Sequence, residues 1–262
     1  MIRNIGIALL LVFGTVISSP AAEIVKFEGK STTLLGDPVM LTSTLTKPQG
    51  DGPFPGVVLL HTCLGPLPQH EEPWVERLTS WGYVTFRVDS FGPRGESSCC
   101  TKILVVAPWT RAQDAHDVKS YLAGLPFVDS NKIAIMGLGH GGWAALHAVN
   151  KGTSIEGRGN PFRAAVTLYP YCHVPKFAPD APVLILIGEL AQWWTVEQCS
   201  SMIKEGEIAH DVILKSYPGA YKGFDFEGAS EMRHESEPFQ YDPEAATDAI
   251  AQVKDFLAKY LK

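Results

Sequence analysis

The segment Ile133-Ala134-Ile135-Met136-Gly137-Leu138-Gly139-His140-Gly141-Gly142-Trp143 runs an apolar strand through glycines straight into a helical pattern. Two chemistries use such a turn. A nucleophile elbow, G-x-[Ser/Cys]-x-G, needs small neighbours so that a strained backbone can present a reactive side chain. A G-x-G-x-x-G loop uses its glycines to bring a pyrophosphate close to a helix N-terminus. Gly137, Gly139 and Gly142 fit the second spacing, while the first frame puts Gly139 at the nucleophile position. A dinucleotide loop belongs in the first strand–helix–strand unit, with an acidic residue at the next strand end. This turn comes late, and Glu156 lies beside Gly157 and Gly159 in loop-like sequence. The elbow frame is the better fit, and no cofactor is expected.

Other side chains add less. His61, His70, His116, His147, His173, His210 and His234 show no paired ligand spacing, and no C-x-x-C motif exists, so no metal site is expected. Arg111 and Arg163 read as surface charges. Asp225 and Glu189 are polar residues near strand ends, without a spacing that marks a base. Cys172 and Cys199 follow successive strands and could be bridged. Cys63 could pair with Cys99 or Cys100, which would leave one free thiol.

The elements that must position these groups alternate along the chain. Strand patterns cover 39–47, 56–60, 83–88, 132–136, 164–168, 183–187 and 212–216. Helical patterns cover 73–81, 109–125, 141–150, 195–209 and 248–261. Short, wholly apolar strands such as Gly56-Val57-Val58-Leu59-Leu60 are buried on both faces. The expected architecture is a mostly parallel sheet with helices on both faces, and function belongs at the carboxyl ends of its strands.

Several segments at those strand ends together carry a resemblance. They are Leu59-Leu60-His61-Thr62-Cys63-Leu64-Gly65, Val88-Asp89-Ser90-Phe91-Gly92-Pro93-Arg94-Gly95, the Gly137–Gly142 elbow, Leu168-Tyr169-Pro170, Ile187-Gly188-Glu189-Leu190 and Tyr217-Pro218-Gly219-Ala220-Tyr221-Lys222-Gly223-Phe224-Asp225. In their order and number the chain resembles exported bacterial members of the dienelactone hydrolase family, which implies the α/β-hydrolase fold. The family's Ser or Cys nucleophile, acid and His base fall at Gly139, Ala191 and Lys222, so all three positions are substituted. The resemblance assigns the oxyanion-hole amides to Cys63 and His140, and the His140 side chain could add weak acid/base chemistry. Arg94 stands where some members bind a substrate carboxylate. A non-hydrolytic pseudoenzyme is therefore expected, binding a small-molecule ligand, a carboxylate or phosphate, through Lys222, Arg94 and the backbone of Gly139 and Gly141. An active hydrolase of small esters or lactones with a rearranged site is the alternative.

Composition narrows the classes further. With 22 Lys+Arg against 28 Asp+Glu and a net charge of −6, nucleic acid is not an expected partner. Met1-Ile2-Arg3, the apolar run from Ile5 to Ile17, and Ser19-Pro20-Ala21 read as a signal peptide over residues 1–21. That leaves 22–262 as one exported domain, periplasmic or secreted, with no membrane span after cleavage.

Overall fold

The computed structural model describes residues 22–33, 36–231 and 238–262; the leader read over 1–21 and His234 lie outside them. Eight strands form one sheet in the order β1-β2-β4-β3-β5-β6-β7-β8. They are β1 (Ala22–Thr32), β2 (Pro38–Thr46), β3 (Phe54–Leu60), β4 (Val84–Asp89), β5 (Val128–Leu138), β6 (Ala165–Leu168), β7 (Val183–Gly188) and β8 (Val212–Tyr217). β1 and β2 are antiparallel, and every pairing from β4 to β8 is parallel. The α-helices are α1 (Pro68–Ser80), α2 (Pro108–Ala123), α3 (His140–Ala148), α4 (Val196–Lys204) and α5 (Pro243–Leu261).

The helices cover both faces, as the doubly buried strands require. Ala112, Ala115 and Val118 of α2, Trp143 and Leu146 of α3 and Cys199 of α4 pack on one face with Val58, Ile135 and Ile185. Trp74 and Leu78 of α1 and Val253, Phe256 and Leu257 of α5 pack on the other with Val57, Met136 and Leu184. Register places the strand ends level with one another: Leu60 lies opposite Gly137, Leu138 opposite Leu168, and Gly188 opposite Tyr217. The loops leaving these ends share one rim.

Several boundaries differ from the sequence reading. The edge strand β1 was not anticipated; it pairs only with β2, and most of its residues are exposed. α1 begins at Pro68 and runs through Pro73. α4 stops at Lys204, where the Gly206 and Glu207 amides turn back to Ile203 and Phe177. α5 starts earlier, at Pro243, because Asp242 accepts the Glu244 and Ala245 amides as its N-cap.

Candidate functional site

Gly139 joins β5 to α3 with φ 54° and ψ −114°, a backbone that residues with a Cβ rarely adopt. Its neighbouring glycines answer a packing demand. A Cβ on Gly137 would strike the Gly141 carbonyl, and one on Gly141 would strike the Leu60 and His61 carbonyls. A Cβ on Gly142 would sit 3.0 Å from Pro170 Cβ. These glycines let α3 start hard against β3 and β6. The Gly139 amide itself donates to Leu168 O at 3.0 Å.

A Cβ built on Gly139 would lie 3.5 Å from Lys222 Cε and 3.7 Å from Thr62 Cβ, which is ordinary contact. Gly139 and Lys222, 83 positions apart in sequence, thus share one point in space. Lys222 is only 2% exposed. Its Nζ lies 5.0 Å from the ring centres of Tyr171 and Phe239, 5.5 Å from that of Trp193, and 3.5 Å from Tyr171 Oη. Such faces attract a cation. Ala191 is also buried. It follows Leu190, whose amide donates to Ala220 O at 3.0 Å, and a Cβ on Gly188 would strike that same carbonyl. The loop after β7 and the segment leading to Lys222 are therefore held side by side.

Arg111 corrects the sequence reading: it is fully buried rather than a surface charge. It donates to His140 Nδ1 at 2.9 Å and to His61 O at 2.7 Å, and it lies over the Phe91 ring at 4.9 Å. Burial brings its pKa down to about 10, which still leaves it charged at neutral pH. His140 donates from Nε2 to Ile103 O at 2.8 Å. Burial first, then Arg111, pushes its pKa down to about 3. Both ring nitrogens are engaged and the ring stays neutral, so the anticipated acid/base role for its side chain has no support. The periodicity of α2 held the missed signal, because Arg111, Ala115, Val118 and Leu122 share one buried face.

Arg94 is also placed differently from the expectation. It forms a two-pronged pair with Asp114, Nη1 to Oδ2 at 2.9 Å and Nη2 to Oδ1 at 2.8 Å. It donates further to Ser90 O and Ser31 Oγ, both at 2.6 Å. Its guanidinium ties the Gly92–Arg94 turn to α2 and β1, so it is not presented to an incoming carboxylate.

One polar cluster went unread in the sequence. Trp74 Nε1 donates to Asp225 Oδ2 at 2.6 Å and Tyr169 Oη donates to Oδ1 at 2.9 Å. His70 Nε2 lies 3.0 Å from Tyr169 Oη and 3.9 Å from Asp225 Oδ2. Burial alone would raise the Asp225 pKa, but His70, Trp74 and Tyr169 hold the carboxyl below its ordinary range. Next to His70, Glu71 is pushed up to about 7 by burial.

Two disulfides brace the rim, Cys63–Cys100 and Cys172–Cys199. Cys99 keeps a buried thiol, which burial pushes up to about 11. Among the described residues, no group of three or more His, Cys, Asp or Glu could hold a metal. No helix among them is long and apolar enough to cross a membrane.

No curated protein matches this sequence. Solved structures do resemble the fold. A dienelactone hydrolase-like promiscuous phosphotriesterase from metagenomic libraries superposes with a TM-score of 0.73 at 20% identity, over 92% of this chain and 100% of that one. The esterase of Thermogutta terrifontis with bound propionate gives 0.65 at 16% identity, over 84% and 90%. The same esterase phosphoramylated by tabun gives 0.67 at 17% identity, over 92% and 95%. The sheet order, its helical cover and the strand–glycine–helix elbow are those of an α/β-hydrolase, and the sequence profile of the dienelactone hydrolase family matches residues 41–261. The chain belongs to the dienelactone hydrolase family.

Proposed function

We propose that this protein is a non-hydrolytic member of the family, exported from the cell, that holds a small carboxylate or phosphate at the elbow. The observation that carries this reading is Gly139: it keeps the elbow backbone but offers no side chain, and Lys222 lies against the point where one would begin. With Ala191 at the acid position, the assembly lacks a nucleophile, a base and the acid that would orient the base. A functional site carries one carboxylate and a neutral imidazole. Here an alanine and an ammonium move the formal charge two units toward positive. The first-turn amides of α3, including those of His140 and Gly141, have no acceptor within the helix, and its dipole favours an anion beside them. Arg94 drops out of the binding set because Asp114 holds it. Lys222 is buried, so the ligand is small and side chains must move to admit it. The apolar leader and the two disulfides support an oxidising compartment.

Turnover of p-nitrophenyl acetate and of a simple lactone tests the reading. The expected rate is no more than the residual ~10³–10⁴-fold over water that an oxyanion hole alone supplies. A kcat/KM of about 10⁴ M⁻¹s⁻¹ or above would establish the competing reading, an active hydrolase with a rearranged site. Thermal-shift titration with acetate and phosphate should stabilise the wild type more than Lys222→Ala. Equal responses from the two proteins would remove Lys222 from the binding set.

A further inference from the structure

We propose that a second site, separate from the elbow, binds a small organic cation, a methylated ammonium, between the loop after β6 and helix α4. A cavity of about 400 Å³ opens there, lined by residues 172–177 on one side and by Trp194 and α4 on the other. Neither Gly139 nor Lys222 lines it.

Both walls are fixed in place. The Cys172–Cys199 bridge ties the loop to α4, and the Glu207 amide, just past that helix, donates to Phe177 O at 2.8 Å. Buried Trp143 donates from Nε1 to His173 O at 2.6 Å and anchors the loop to α3. Trp194 is stacked on Tyr171, with ring centres 5.2 Å apart and planes 22° apart, and it meets Trp143 at 6.1 Å and His173 at 5.9 Å. It stays half-buried even so, and it lines the cavity. Val174, Phe177 and Met202, all buried, add apolar surface to the lining. A cavity held this firmly costs little ordering when a ligand enters.

The acids of the lining set the charge of the ligand. Glu197 stands in the first turn of α4, where the helix dipole favours a carboxylate, and its hydrogen bond with Thr195 holds it below the ordinary carboxylate range. That placement serves the helix and needs no ligand. Glu205 stands at the opposite end as the C-cap, where the dipole disfavours a carboxylate. Lys204 is the basic residue of that last turn, yet among the described residues no cation pairs with Glu205. The lining therefore sets two carboxylates against one ammonium, that of exposed Lys176. A carboxylate in an unfavourable place gains most from a cation brought to it. Aromatic faces such as that of Trp194 attract the same charge, and they suit a methylated ammonium, which sheds its water more readily than a bare one. A metal ion is not the match, because no three His, Cys, Asp or Glu among the described residues gather to hold one.

The test titrates the full oxidised chain by calorimetry with choline and with its neutral isostere, 3,3-dimethylbutan-1-ol. Choline should bind with a Kd on the order of 1 mM, and about tenfold more tightly than the isostere, the scale of a cation over a ring. Glu205→Gln changes only an exposed side chain. It should weaken choline up to about fivefold, the scale of one exposed ion pair, and leave the isostere unchanged. Trp194→Ala should weaken choline about tenfold. Because Trp194 also packs on three other rings, Glu205→Gln decides the matter where that variant folds poorly. Equal affinity for choline and the isostere overturns the cation assignment, as does a choline affinity that Glu205→Gln leaves unchanged. No heat from choline at tens of millimolar overturns the site itself.

Discussion

At the scale of single residues, Gly139, Ala191 and Lys222 carry the argument, and restoring them tests the frame. The space at Gly139 accepts a side chain, since its nearest neighbours would lie at ordinary contact distance. Gly139→Ser alone should give little esterase activity, because a serine facing a lysine has no base of the right kind. Adding Ala191→Asp and Lys222→His should raise the initial rate well above that of any single change, since such groups act as a unit. A triple variant no faster than the best single one, though folded, would mean that the three positions do not converge. The nearness of Gly139 and Lys222 was legible in the sequence, because each sits among neighbours that match the family. Other roles were not. Arg94 looks free until Asp114, twenty positions on, is seen to bind both prongs of its guanidinium. Trp74 and Asp225 are hydrogen-bonded across 151 positions, a pairing that no local pattern announces.

At the scale of elements, the site depends on how closely the strand ends approach the loops beside them. A Cβ on Gly188 would strike the Ala220 carbonyl, which also receives the Leu190 amide. Gly188→Ala should therefore push the loop after β7 away from the segment carrying Lys222. The expected cost is about 1–3 kcal/mol by chemical denaturation, the range for overpacking a close contact. An unchanged denaturation midpoint would show that the two segments are not coupled. The central strands were readable because burial on both faces leaves a continuous apolar run. β1 was not, since only one neighbour and part of one face support it. Helix ends proved harder than helix existence: Asp242 caps α5 six residues before the start at 248 read from the sequence, and α4 stops at Lys204, just before Gly206, inside a run that still looks helical.

For the whole molecule, buried imidazoles set the response to acid. Burial is the main cause that pushes His140 to about 3 and His116 and His147 to about 4, all below the ordinary 6.5. Between those values and 6.5 the unfolded chain binds more protons than the folded one, so stability falls as the pH drops. Each histidine contributes up to about 1.4 kcal/mol per pH unit. Glu71 acts in the opposite sense: its pKa is raised to about 7, so its contribution is present at low pH and is lost as the pH rises from 4.5 to 7. Three histidines outweigh one glutamate. The melting temperature should fall markedly between pH 6.5 and 4.5, and a flat profile across that window would contradict the neutral, enclosed state of these rings. The disulfides carry a separate consequence, for the order in which the chain is made. Cys63 closes with Cys100, 37 residues later, and Cys172 with Cys199, 27 residues later, so the two loops do not interleave. A chain emerging from its N-terminus can therefore seal the first bridge before either partner of the second has appeared. The one fork on that route is Cys99, next in sequence to the correct partner and hydrogen-bonded through its amide to Cys63 O. The vicinal pair concentrates the whole risk of early mispairing in a single choice, and Cys99→Ser would leave a nascent chain no choice to make.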